Sequence, residues 1–406
     1  MRALISTIGS RGEVQPAVAL AVRLAELGHE AVVCAPPDFR EWAEGFGVRY
    51  VSVGPVLRGT AKAAAGVPTP EQRQRMIDGT VAEQFRAVDA AVRGCDVVVA
   101  GGALAIAARS VAEKWSLPYV YAAFAPITLP SPHHAPPVFG MLGDQVAERS
   151  PEALWEADRE RWNLMWSAPL NAHRAALGLP PVEDVRRHLF TETPWLAADP
   201  VLAPWPGAPD LEVFQTGAWL LDQPAPLAAD LEKFLDAGDP PVYLGFGSAR
   251  APHGIADAVV AAAGRLGLRT VVAAGWADLS VTDPDCLVVG EVDQRALFRR
   301  VAAVIHHGGA GTTTTAAASG APQVIVPQMF DQPYFASRVA DLGIGVAIRE
   351  EPTEAVLTEA LSTAVGRRSA ARELTESVET AGVTRAARAL VASAAGRDHP
   401  AGNGSE

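Results

Sequence analysis

Apolar positions along this chain fall into short continuous runs, and most runs are followed by a stretch of helical period. Short apolar runs bounded by turn residues read as strands buried on both faces. In the first half the pattern predicts strands over residues 4–8, 31–35, 48–53, 96–100 and 118–125, with two more at 195–199 and 213–217. Helices are predicted over residues 17–27, 38–46, 70–92, 103–115 and 147–177, the first stopped by Gly28. A second alternating series predicts strands over residues 242–246, 270–274, 286–289, 303–305, 323–326 and 345–348, then a final helix. Alternation of strand and helix implies parallel pairing through right-handed crossovers. The expected fold class is α/β, with two doubly wound domains facing across a cleft. The expected boundaries are residues 1–217 for the first domain, 218–226 for a linker carrying Pro224 and Pro226, and 227–383 for the second domain. A helix over 384–396 is expected to pack back toward the first domain, and a disordered tail over 397–406. Trp155, Trp162 and Trp166 are read as a buried helix face in preference to an aromatic ligand platform.

A chain of 406 residues with 49% apolar content can bury more than one core. Its net charge of −12 argues against a broad nucleic-acid footprint, so no nucleic-acid partner is expected. No apolar stretch reaches membrane-spanning length without charge or proline, so stable membrane insertion is not expected either. No secretory signal precedes the first strand, and Cys34, Cys95 and Cys286 show no paired spacing. A reducing, cytoplasmic location is the expectation.

The candidate chemistry centres on residues 302–315. An apolar run, Ala302 to Ile305, leads into His306-His307-Gly308-Gly309-Ala310-Gly311, and the threonines from Thr312 read as the start of a helix. Glycines admit a phosphate to the backbone, and a helix N-terminus supplies N–H donors and partial positive charge. A tight turn would explain one or two of the glycines, but not the paired histidines. Ser248, after Phe246-Gly247, is a candidate for a second phosphate contact, and the backbone at Val289-Gly290-Glu291-Val292 for a flat base. Asp331 and Gln332 suit sugar hydroxyls, although Asp331 fits a helix N-cap equally well.

Sheets of this kind bind ligands beyond the carboxyl ends of their strands. Residues 9–16, read as a turn, occupy such an end, as do long connections over 54–70 and 126–143, the latter carrying His133-His134. Glu13 is a candidate base facing the phosphate site, or else a surface carboxylate in the first turn of a helix; Arg11 beside it is a phosphate contact or a solvated loop residue. Gly9-x-x-Gly12 is not the Gly-x-Gly-x-x-Gly dinucleotide fingerprint, which argues against an oxidoreductase.

Several longer motifs carry a resemblance. Gly9-Ser10-Arg11-Gly12-Glu13-Val14-Gln15-Pro16 is similar to the opening of sterol glucosyltransferases and of actinomycete enzymes that glycosylate glycopeptide antibiotics. Gly178-Leu179-Pro180-Pro181-Val182-Glu183, Trp195-Leu196-Ala197-Ala198-Asp199-Pro200, Gln215-Thr216-Gly217-Ala218-Trp219, Gly275-Trp276-Ala277-Asp278-Leu279 and His306 to Thr313 most resemble the glycopeptide group. The chain thus resembles, over almost its whole length, family 1 inverting glycosyltransferases of the GT-B fold.

That resemblance implies two Rossmann-like domains, the first binding the acceptor and the second a UDP- or dTDP-sugar. It implies a diphosphate site from His307, Gly309, Gly311 and Thr312, aided by Ser10, Arg11, Gly12 and Ser248. It implies Val292 at the base and Asp331 and Gln332 at the donor sugar. Glu13 holds the position of the general base, which is histidine in many relatives and aspartate in the glycopeptide group. The resemblance further implies metal-independent transfer without a cofactor, to a small natural-product aglycone seated under the loops at 54–70 and 126–143. A nucleotide-sugar 2-epimerase and a catalytically silent nucleotide-sugar-binding module are the alternatives.

Overall fold

The computed structural model describes residues 1–61, 69–137, 149–222 and 224–395. The tail expected over 397–406, and parts of the loops expected over 54–70 and 126–143, lie outside the described residues.

Among the described residues, thirteen strands form two sheets. The first sheet contains β1 (Arg2–Thr7), β2 (Glu30–Ala35), β3 (Arg49–Ser52), β4 (Val97–Gly101), β5 (Tyr119–Ala123), β6 (Trp195–Leu196) and β7 (Phe214–Gln215). The second contains β8 (Val242–Gly245), β9 (Thr270–Ala273), β10 (Cys286–Val289), β11 (Ala303–His306), β12 (Gln323–Ile325) and β13 (Gly345–Ala347). Their orders are β3-β2-β1-β4-β5-β6-β7 and β10-β9-β8-β11-β12-β13, and the pairings are parallel. Each sheet is doubly wound, and its strand order reverses between its first strand and the strand beside it, β1/β4 and β8/β11. Crevices open beyond the strand ends at such reversals.

Burial of both faces explains why the strands read as continuous apolar runs. In β1, Leu4 packs into one core while Ala3 and Ile5 pack into the core on the opposite face. In β8, Val242 and Leu244 face one core and Tyr243 the other. Trp155, Trp162 and Trp166 are buried along the helix Pro151–Ala176, in agreement with the core reading. Cys34 and Cys95 are buried free thiols.

Two differences from the sequence reading matter for the site. Residues 9–16 are not a turn throughout: the helix begins at Arg11 and runs to Glu26, with Pro16 inside it. A proline in that position forfeits an intrahelical hydrogen bond, and the signal therefore read as a break. The eight buried apolar side chains of this helix outweigh the loss. The helix Ala310–Ala318 likewise starts before Thr312, so Gly311 and Thr312 lie in its first turn.

Several contacts join the halves. The helix Gly382–Ala395 packs on Arg11–Glu26, burying Val383, Ala386, Ala387 and Leu390 in a core of the first sheet. Its approach requires two glycines, because a Cβ on Gly382 would stand 2.3 Å from the carbonyl carbon of Gly217. Arg385 donates to the Thr216 carbonyl at 2.8 Å, and the buried Asp199 accepts the Glu379 N–H at 2.7 Å. Nearer the cleft, Arg338 donates to the carbonyls of Val201 and Leu202.

Candidate functional site

The two strand-order reversals face one another across a single cleft of about 1650 Å³. Glu13, Ser10, Arg11, Gly12, Ser248, Val292, His307, Gly309, Gly311, Thr312, Asp331 and Gln332 all line it. Residues far apart in sequence are thus brought to one wall or the other of the same space.

Glu13 stands on the first wall. Ser10 occupies the N-cap position of Arg11–Glu26 in extended backbone, but its hydroxyl does not cap the helix; it donates to Glu13 Oε2 at 3.0 Å. Two glycines clear the space for the carboxylate. A Cβ on Gly9 would lie 2.7 Å from Glu13 Cδ, and one on Gly102, just past β4, 3.1 Å from Cγ. The side chain therefore lies over the β1/β4 reversal. Withdrawal from water pushes its carboxyl above the usual range, partly opposed by the Ser10 hydrogen bond. Glu13 does sit in the first turn of a helix, as the surface reading had it, yet faces the cleft.

The opposite wall is the turn after β11. His306 is fully buried, its Nε2 2.9 Å from Gln323 Oε1 and its Nδ1 accepting the Gly308 N–H at 3.1 Å. Both bonds suit a neutral ring with its proton on Nε2, and burial lowers its pKa to about 3. His306 thereby braces the turn from behind. His307 points into the cleft, its pKa lowered to about 4 by desolvation, and its buried Nδ1 has no hydrogen-bond partner among the described residues. Gly309 makes room for that ring, since a Cβ there would lie 2.6 Å from Nε2. Gly309 caps the helix Ala310–Ala318 without a side chain, leaving the N–H groups of the first turn without intrahelical acceptors. Thr313 and Thr314 spend their hydroxyls on the carbonyls of Gly309 and Ala310, so Thr312 and Thr315 are the threonines that line the cleft. The arrangement is an anion cradle of backbone donors, an unpaired ring nitrogen and a helix N-terminus.

Asp331 takes the N-cap position of the helix Gln332–Asp341, but its side chain makes no capping bond. It lines the cleft instead, and burial, reinforced by the charge of Glu13, raises its pKa to about 7. Gln332 is divided between roles. Its Oε1 accepts the N–H groups of Gln328 and Met329 at 2.7 and 3.1 Å, holding the loop in shape and leaving only its amide nitrogen for a ligand.

Arg11 is more heavily engaged than a phosphate contact needs to be. Its guanidinium lies 3.7 Å from the Trp42 ring centroid, donates to Gln15 at 2.9 Å and pairs with Glu291 of the second half at 3.2 Å. Its backbone N–H donates to Ser248 Oγ at 3.2 Å. Arg11 and Ser248 thus clasp the two halves at the cleft mouth, where Phe39 stacks on Trp276 at 5.4 Å between ring centroids. Trp42, Trp276 and Phe330 line the cleft without having been singled out as site residues. Aromatic residues in amphipathic segments carry no local sign of facing a ligand.

Among the described residues no cluster of three His, Cys, Asp or Glu side chains is arranged to hold a metal ion, and no helix is long and apolar enough to cross a membrane.

A family described as glycosyltransferase family 28 N-terminal domain matches residues 3–131, and one described as erythromycin biosynthesis protein CIII-like, C-terminal domain matches residues 257–393. The chain is 49% identical to glycosyltransferase GtfE of Amycolatopsis orientalis, with 99% of each chain covered. It is 46% identical to the vancomycin aglycone glucosyltransferase of the same organism, with 98% of this chain and 99% of the relative covered. Among solved structures, the glycotransferase of kitacinnamycin superposes with a TM-score of 0.70 at 19% identity, over 96% of this chain and 97% of that one, which supports the shared two-sheet fold.

Proposed function

The chain belongs to the GT-B glycosyltransferases that join a family 28 N-terminal domain to a CIII-like C-terminal domain, and from this we propose that it transfers a sugar from a UDP- or dTDP-linked donor to a hydroxyl of a natural-product aglycone, with inversion. The acceptor class is that of glycopeptide antibiotics, on the strength of the vancomycin aglycone glucosyltransferase among its relatives.

One observation carries the mechanism. A desolvated carboxylate, Glu13, and the donor-rich helix N-terminus at Gly309–Thr312 stand on opposite walls of one cleft. Glu13 takes the proton of the acceptor hydroxyl as its oxygen attacks the anomeric carbon. The bond from that carbon to the diphosphate breaks in the same step. The charge left on the diphosphate meets the N–H groups of Ala310, Gly311 and Thr312, with His307 beside them. Base and leaving-group cradle on opposite sides support attack from the face opposite the departing group, hence inversion.

A helix N-terminus in the place of a cation supports metal-independent transfer, with no cofactor beyond the donor. Asp331 and the Gln332 amide nitrogen would receive sugar hydroxyls, and the backbone at Val292 the base. The neutral His307 ring offers one donor to phosphate. The reading is of a cytoplasmic enzyme acting on small molecules.

Glu13→Gln tests it. Transfer should fall by about 10²- to 10⁴-fold while nucleotide binding holds. Near-normal turnover removes Glu13 from the role of base, and loss of activity in EDTA refutes metal independence.

A further inference from the structure

The loop that carries Asp331 contains a backbone feature that donor binding does not explain. Phe330 has φ +58°, a left-handed conformation that a bulky residue rarely adopts. The surrounding loop holds it there. Gln332 binds the N–H groups of Gln328 and Met329, its own N–H donates to the Met329 carbonyl at 3.2 Å, and Gln328 Nε2 donates to the Val326 carbonyl at 3.0 Å. A non-glycine residue kept in this region by so many restraints points to a functional constraint on where its side chain goes.

That side chain goes to the other half of the protein. Phe330 lines a small crevice whose remaining walls, among the described residues, all come from the first half: Ala103, Thr128, Pro137, Trp155, Asp158, Trp162 and Phe190. Phe330 also lines the main cleft, where Ala103, Thr128 and Pro137 recur as first-half wall residues. One residue of the nucleotide half therefore joins the wall of the first half, one peptide bond from Asp331.

We propose that Phe330 is a specificity-determining residue for the acceptor: its ring forms part of the surface on which an apolar or aromatic face of the aglycone rests. This rests on the transferase reading above. It moves part of acceptor selection from the first half, where the resemblance puts it, to the loop that also carries the sugar contact. The left-handed backbone is what directs the ring across the cleft. Asp331 and the acceptor surface are thereby set by the same short loop, so donor sugar and aglycone are registered against each other without a separate moving part.

The experiment uses the full chain and the vancomycin aglycone as probe. Its binding is measured by calorimetry with UDP or dTDP saturating, and nucleotide binding is measured separately. Phe330→Gly and Phe330→Asn both tolerate a left-handed backbone and remove the ring; Phe330→Tyr keeps it. The aglycone Kd should rise about tenfold in the first two and stay within about twofold in Tyr, with nucleotide Kd unchanged in all three. Thermal melts of the Gly variant should match or exceed wild type. Unchanged aglycone affinity in Gly and Asn overturns the proposal, as does a parallel loss of nucleotide affinity, or a wild type that binds no aglycone. A wild type that binds the aglycone but transfers no sugar defeats the proposed function while leaving this inference to the measured affinities.

Discussion

The Ser10 hydroxyl donates to Glu13 Oε2 at 3.0 Å, across the first turn of the helix it precedes. A serine in that position ordinarily satisfies a backbone N–H. Here it holds the carboxylate over the β1/β4 reversal and favours its charged form. As a base, Glu13 works only when deprotonated, so activity should rise with pH through its raised pKa. Ser10→Ala removes the interaction that restrains that rise. The acidic limb of kcat/KM against pH should move to higher pH, with plateau activity reduced. A limb that stays in place would separate Glu13 from the observed ionisation.

Two glycines of the anion cradle should differ in how the same methyl group affects stability. At Gly311 a Cβ meets nothing within 4 Å, and the position is helical, so Gly311→Ala should stabilise the fold by about 0.5–1 kcal/mol. The methyl would stand where phosphate must approach, and nucleotide affinity should fall. At Gly309 the Cβ would collide with the His307 ring. Gly309→Ala should bring no such gain in stability, and should raise the donor KM about tenfold or more by displacing that ring. Thermal melts and donor titrations of the two variants check the contrast.

Asp331 should cost the empty protein stability at neutral pH. Its pKa is raised from 3.8 to about 7, so the folded state holds the proton more tightly than the unfolded chain. That contribution is complete below pH 3.8 and is lost as pH rises through about 7. Asp331→Asn loses nothing over this window. Its melting temperature should gain on wild type between pH 4 and pH 7 while sugar transfer drops, and a gap that is constant with pH would contradict the assignment.

His306 has the opposite sign. Its pKa is lowered from 6.5 to about 3, so the unfolded chain binds the proton first. Its contribution is complete above pH 6.5 and is lost as pH falls toward 3. His306→Gln should cost about 2 kcal/mol at pH 7, through mismatched buried hydrogen bonds to Gln323 and Gly308. The deficit should narrow as pH falls below 6.5, measured by denaturant unfolding at a series of pH values.

Much of the fold was legible from the chain because its signals are local. Apolar runs buried on both faces mark the strands to within a few residues, and the glycines after Ile305 mark a turn, of which Gly308 and Gly309 leave no room for a Cβ. The gathering of twelve candidate residues in one cleft followed from strand order, since both reversals lie at carboxyl ends. Elsewhere packing outweighs a local signal. Pro16 looked like a break, yet the helix through it buries enough apolar surface to absorb one missing hydrogen bond. Asp331 looked equally like a cap and a ligand contact, and the tertiary structure sets it at the cap position with its carboxylate turned to the cleft.

Other features had no sequence signal. That Arg11 is taken up by Trp42 and Glu291 as well as Gln15 depends on packing beyond its own turn, and the Glu291 pairing on how the halves dock. That Phe330 adopts a left-handed backbone depends on hydrogen bonds from Gln332 and on first-half residues that it meets only after folding. Patterns of apolarity and glycine specify elements, because their cause acts over a few residues. Charge state, strain and the partner of each side chain in the cleft arise from contacts between segments hundreds of residues apart, and only the folded chain decides them.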